Sequence, residues 1–117
     1  MTRTIRELSS DTWAEYFDAL GRELLHAPAS IEVGDPSGPT SVEAKHVALQ
    51  VLTYDGRDDV FEVAVARSEP NLPRVLRHLV DHPSRVAVDN ETMLAPMTIA
   101  VDGPDGVRTT IRIEDAR

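Results

Sequence analysis

From Ser10 to about Leu25 the residues Trp13, Phe17, Leu20 and Leu24 recur at helical spacing, with Arg22 and Glu23 on the other side. This period predicts one amphipathic helix. Ser and Asp residues at its start offer cap oxygens for the free N–H groups of the first turn. With Ser9 as the cap, Leu8 and Trp13 occupy the two positions of a hydrophobic staple. Asp11 and Glu15 lie near the positive end of the helix dipole. Pro28 cannot continue the helix. A lone amphipathic helix does not hold its shape in water, so the stripe must cover another element.

Beyond the helix the period changes from helical to alternating. Ser30 to Val33 alternates and runs into the turn-rich Gly34-Asp35-Pro36-Ser37-Gly38-Pro39. A second strand is expected from Lys45 to Tyr54, with Val47, Leu49 and Val51 on one face. Asp55-Gly56-Arg57-Asp58-Asp59 has the Asp-Gly of a hairpin turn. A third strand, Val60 to Arg67, puts Phe61, Val63 and Val65 on one face and Glu62 on the other. Arg85 to Asp89 and Met97 to Asp102 are further strand candidates. Asp102 to Gly106 turns the chain into a last strand, Arg108 to Glu114, with Ile111 and Ile113 inward. Hairpins between consecutive alternating strands predict an antiparallel sheet with one covered face. The tail, Asp115 to Arg117, is expected to fray.

Leu72 to Val80 carries two periods at once. Leu72, Val75, Leu76, Leu79 and Val80 fit a helix bracketed by Pro73 and Pro83. A strand from Arg77 to Asp81 fits the same residues, and short apolar runs do not separate the two.

The chain has 117 residues, which fits a single domain spanning residues 1–117 that can bury a core without staples. It has no cysteine, so disulfides, thiol nucleophiles and Cys-ligated zinc are excluded. No apolar run reaches membrane-spanning length, and the N-terminal residues lack a signal-peptide pattern. A cytoplasmic location is the expectation. Twelve Lys and Arg stand against 20 Asp and Glu, a net charge of −8. That field disfavours nucleic acid and anionic membranes as partners.

Candidate chemistry is sparse. His78 and His82 are four apart and would share a helix face, a zinc-like spacing; but Leu79 stands where a metalloprotease helix needs Glu. No metal and no cofactor is expected. Asp55, Asp58 and Asp59, and again Asp102 and Asp105, cluster in turns without the spacing of a calcium loop; Asp favours turns for local backbone bonding. Asp89-Asn90-Glu91 reads the same way. No nucleophile elbow, phosphate loop or dinucleotide fingerprint occurs. One asymmetry remains. Arg74, Arg77 and Arg85, with His78 and His82, form a basic island in which Asp81 is the one acid. Such an island can bind a small anion or an acidic partner surface. The competing expectation is that these Arg side chains pair with the protein's own surplus acids.

The order of features carries a resemblance: a Trp13-containing helix before Ile31-Glu32-Val33, the acidic Asp58-Asp59 turn, His78-Leu79-Val80, Pro83 before Val86, and Asp105-Gly106 with Thr109-Thr110. Over nearly its full length the chain resembles a family of small, largely actinobacterial and other bacterial proteins known as a domain of unknown function. The resemblance implies an extended chain from Arg77 to Asp81 and names no site residue. The expected fold is α+β: the helix packed on a bent antiparallel sheet of about five to six strands, with a small Sm-like or SH3-like β-barrel as its closed form. The expected function is a non-enzymatic binding or interaction module. It would act through a strand edge or through Arg74, Arg77, His78, His82 and Arg85, with a second copy, another protein or a small anion as partner. The alternatives are a small enzyme using His78 or His82 with a carboxylate, and an Sm-like RNA-binding barrel.

Overall fold

The computed structural model describes residues 5–67, 70–71, 74–89 and 96–114. Strand β1 (Arg6–Leu8) comes first, then a tight turn of helix at Ser10–Thr12 and helix α1 (Trp13–Glu23). Seven more strands follow: β2 (Pro28–Gly34), β3 (Thr40–Asp55), β4 (Val60–Ala66), β5 (Val75–Asp81), β6 (Arg85–Val88), β7 (Met97–Asp102) and β8 (Arg108–Ile113). They form one antiparallel sheet in the order β1-β6-β7-β8-β2-β3-β4-β5. The expected α+β class and antiparallel pairing are present. Among the described residues the sheet has eight strands rather than five or six, and it ends at β1 and β5 instead of closing by backbone pairing.

The helix stripe is where the sequence puts it. Trp13, Phe17, Leu20 and Leu24 are buried, and Arg22 and Glu23 are exposed. Trp13 meets Tyr54 edge-to-face at 5.1 Å, and Phe17 meets Phe61 at the same separation. The Trp13 indole N–H donates to the Leu8 carbonyl at 3.1 Å, so the residue before the helix is tied to its first turn. The cap differs from expectation. The Ser9 hydroxyl turns to Asp11 Oδ1 at 2.5 Å, while the Thr12 N–H takes the Ser9 backbone carbonyl. Gly21 faces β3 so closely that an added methyl would stand 2.9 Å from the Leu52 carbonyl oxygen. Pro28 opens β2, a strand position at which a missing N–H is tolerated.

The sheet curls around one core. Ile31, Leu49, Leu52, Phe61, Val63, Val65, Ile99, Ile111 and Ile113 are among its fully buried side chains. Phe61, Val63 and Val65 share the inner face, and Ile111 and Ile113 point inward, as the alternation predicts. On β3 the alternation slips. Leu49 pairs with Val65 but Val51 pairs with Ala64, a bulge that puts Leu52 rather than Val51 on the face of Leu49. A second irregularity lies between Ala29, opposite Val47, and Ile31, opposite Ala44. There His46 takes φ 52°, its N–H bonded to Ser30 Oγ at 3.1 Å and its Nδ1 2.7 Å from Glu114 Oε2. These bulges bend the sixteen-residue β3 so that one strand serves both halves of the sheet.

The turns behave as turns. Asp35, Asp55 and Asp105 each accept the N–H two residues on, at 2.9, 2.9 and 3.1 Å. Gly106 takes φ 83°, a value that suits glycine. The segment with two periods is the strand β5, extended as the resemblance implies. Leu72 and Pro73, Asn90 and Glu91, and the tail Asp115 to Arg117 lie outside the described residues.

Candidate functional site

β5 carries most of the basic island, and its backbone decides what the island can do. Along a strand, side chains alternate between faces. Leu76, His78 and Val80 turn inward and are half-buried; Val75, Arg77, Leu79 and Asp81 turn outward and are exposed. Arg77 and His78 therefore stand on opposite faces of the strand and form no single basin.

Each outward basic group but one has an acid. Arg77 grips Glu62 of β4 through Nε at 2.8 Å and Nη2 at 3.1 Å, which raises its pKa. His82, at φ 53° just past β5, places Nδ1 3.1 Å from Asp59 Oδ2 and donates its backbone N–H to the Asp59 carbonyl at 2.8 Å. Arg85, on β6, pairs with Glu7 of β1 and lies 3.9 Å from Asp102. Arg74 is exposed and has no ion pair among the described residues. The same habit extends beyond the island: Arg108 holds Asp102 with two bonds, at 2.6 and 3.2 Å, and Arg112 holds Glu32 at 2.8 Å.

His78 is the inward member. Its Nε2 lies 2.9 Å from Oγ1 of Thr109 on β8, a buried hydroxyl. Burial pushes the His78 pKa below its ordinary value; the carboxylate of Glu43 pulls the other way and is the weaker influence. A cleft of about 370 Å³ opens beside it between β5 and the β7–β8 hairpin, lined in part by Val33, Val80, Pro104 and Val107. A second cleft, about 280 Å³, lies at the other end of β5 among Val42, Lys45, Val65 and Leu76.

Asp59 joins the β3–β4 hairpin to the rest. It accepts from the Tyr54 hydroxyl at 2.5 Å and from His82, which holds its own pKa down and pushes Tyr54 up to about 12. Among the described residues, no group of three or more His, Asp or Glu side chains could hold a metal ion. None of their helices is long and apolar enough to cross a membrane.

What sequence reasoning passed over is the backbone of β5 itself. Arg67 donates its N–H to the Arg74 carbonyl at 2.6 Å, and His82 bonds to Asp59. Hydrogen-bonded pairs alternate along an antiparallel ladder. With the β4–β5 register, this turns the backbone groups of Leu76, His78 and Val80 toward β4. Those of Val75, Arg77, Leu79 and Asp81 point away from the sheet, and among the described residues no strand pairs with them. The one signal in the sequence was the apolar pair Val75 and Leu79 out of phase with the alternation.

Together these features define an α+β protein in which, among the described residues, one short helix covers the inner face of an open, curled, eight-stranded antiparallel sheet. The chain belongs to DUF5335, a family of unknown function, whose model matches residues 4–117. This establishes the family likeness read from the order of features. An uncharacterized protein of Aquifex aeolicus (strain VF5) is 31% identical over 111 residues, covering 95% of this chain and 93% of the relative. No solved structure matches the chain.

Proposed function

We propose that the protein is a non-catalytic interaction module that receives an extended partner segment along the free edge of β5. The observation that carries this reading is the contrast between the two ends of the sheet. β1 is three residues long and shows Arg6 and Glu7 to solvent, the short charged edge that discourages strand pairing. β5 is seven residues long, and Val75 and Leu79 stand 42% and 49% exposed on it. A long edge with exposed aliphatics invites a further strand. In strand addition the main chain supplies affinity and flanking pockets select side chains. The clefts at Leu76 and at Val80 stand where such pockets would serve. We read the curl of β8-β2-β3-β4-β5 as an open variant of a small Sm-like or SH3-like barrel, a likeness of shape that does not bring RNA binding with it.

The test uses a displayed library of random extended peptides selected against the whole protein. Enriched peptides are expected to shift the NMR amides of Val75 to Asp81. Leu79→Pro should abolish their binding with little change in melting temperature, because the Leu79 N–H is not part of the β4–β5 ladder. Peptides that map elsewhere, or that bind Leu79→Pro equally well, would overturn the reading, as would a selection that enriches none.

A further inference from the structure

Resting on the reading of β5 as a docking edge, we infer that the partner segment is β5 of a second copy of this chain, paired antiparallel about a two-fold axis at Leu79. The residues that face outward must meet outward-facing residues of the partner, so few registers are open. An axis at Arg77 sets Arg77 against its own copy, and an axis at Asp81 does the same to Asp81; both put like charges in direct opposition. An axis at His78 sets Arg77 against Leu79 and Val75 against Asp81, so each charge faces an aliphatic side chain. An axis at Leu79 sets Leu79 against Leu79 and, on both sides of it, Arg77 against Asp81. This register alone combines an apolar centre with two opposite-charge pairs.

The local geometry suits it. In this register the outward backbone groups of Arg77, Leu79 and Asp81 face their counterparts, so roughly six main-chain bonds would form across the axis. Arg77 spends two guanidinium N–H groups on Glu62, and a guanidinium has five. The remaining donors can reach the Asp81 carboxylate of the partner, extending the Glu62–Arg77 pair into a charge ladder across the two sheets. Asp81 makes no ion pair among the described residues. The edge is also bounded: His82 leaves the extended region at φ 53° and Pro83 follows, which ends the pairing just beyond Asp81.

Charge reversal decides the matter. Analytical ultracentrifugation from micromolar to millimolar protein should show a monomer–dimer equilibrium for the wild type. In Asp81→Arg two cations oppose each other at both ends of the interface; in Arg77→Asp two anions do. Each variant alone should dimerise about tenfold or more weakly, the consequence of turning two attractive cross-strand pairs repulsive. An equimolar mixture of the two should recover dimer. In the mixed pair the native Arg77 of one chain faces the native Asp81 of the other at one end. At the other end the two introduced side chains, again a cation and an anion, face each other. That recovery cannot come from a variant that has lost its fold. A wild type that stays monomeric at millimolar concentration overturns the inference, as does a dimer indifferent to both reversals or a mixture no stronger than its components. Peptide selection separates this failure from failure of the docking reading: peptides that shift Val75 to Asp81 on a monomeric protein sink the self-pairing and leave the edge intact.

Discussion

His78 and Thr109 are hydrogen-bonded at 2.9 Å although β2, β3 and β4 separate their strands in the sheet. The bond spans the interior and measures how far the sheet has curled. Thr109 is the buried polar residue among the described core positions, and His78 is the group that satisfies it. Thr109→Val keeps the shape and removes the hydroxyl, leaving a half-buried ring nitrogen without a partner. It should cost about 1–3 kcal/mol in urea melts, whereas Thr109→Ser should cost little.

Burial of the same His78 ring sets a pH dependence. The His78 pKa is lowered in the folded protein, so the unfolded chain binds its proton more readily. Stability from this group is present above the unfolded value of about 6.5 and is lost as pH falls from there toward the lower folded value. Urea melts in steps from pH 7.5 to 5 should show the wild type losing stability relative to His78→Gln. Parallel curves would show that the ring carries no such linkage.

Trp13 anchors the helix by two means, its edge-to-face contact with Tyr54 and its bond to the Leu8 carbonyl. Trp13→Ala should destabilise the fold by about 3–5 kcal/mol, the range for deleting a large buried aromatic. Trp13→Phe keeps most of the ring and removes the donor, and should fall between. A loss below about 1 kcal/mol for the alanine variant would contradict the burial of this side chain.

Gly21 reverses the usual rule for helices. Alanine in a helix interior is favoured over glycine by about 1 kcal/mol. Here the added methyl meets a backbone carbonyl at 2.9 Å, and a backbone atom on β3 cannot swing aside as the end of a side chain can. Gly21→Ala should therefore destabilise, by about 1–3 kcal/mol, as overpacking does. A rise in melting temperature would show that α1 slides freely on β3.

Both tyrosines resist ionisation, Tyr16 through burial and Tyr54, at about 12, through its bond to Asp59. A raised phenol pKa contributes stability that is present below the unfolded value of about 10 and is lost as pH rises through the folded value. Tyrosinate absorbance at about pH 10.5 should stay well below that of the same chain in urea. Asp59→Asn should bring the Tyr54 transition down without moving that of Tyr16.

The helix stripe, the β3–β4 and β7–β8 hairpins and the inner faces of β4 and β8 were legible because their periods are undisturbed and their turns carry Asp and Gly. Three things were not. β1 is too short to show a period and is placed by its pairing with β6, where Glu7 meets Arg85. The shift of Val51 off the inner face depends on a bulge, and a bulge exchanges faces without any change in composition. The residues of β5 fitted a helix and a strand equally by period, because an edge strand can keep aliphatic residues on both sides, which breaks the alternation; only the resemblance favoured the extended form that is found. Of the candidate site residues, the sequence grouped Arg77 and His78 as neighbours; extended geometry sends them to opposite faces. Glu62, Glu7 and Asp59, which partner Arg77, Arg85 and His82, are brought there by strand register across long stretches of chain.

Chain order and sheet order disagree most at β8. The strand formed from Arg108 to Ile113 comes last of the eight described strands, yet it lies between β2 and β7 in the middle of the sheet. Until those residues leave the ribosome, the meander β2 to β5 and the pair β6–β7 have no seam to join them, and β2 and β7 each offer a bare edge. Completion of the sheet must therefore wait until β8 has been made. A frameshift near Arg108 would not trim this protein; it would leave two unjoined halves, each exposing the strand edges from which aggregates grow.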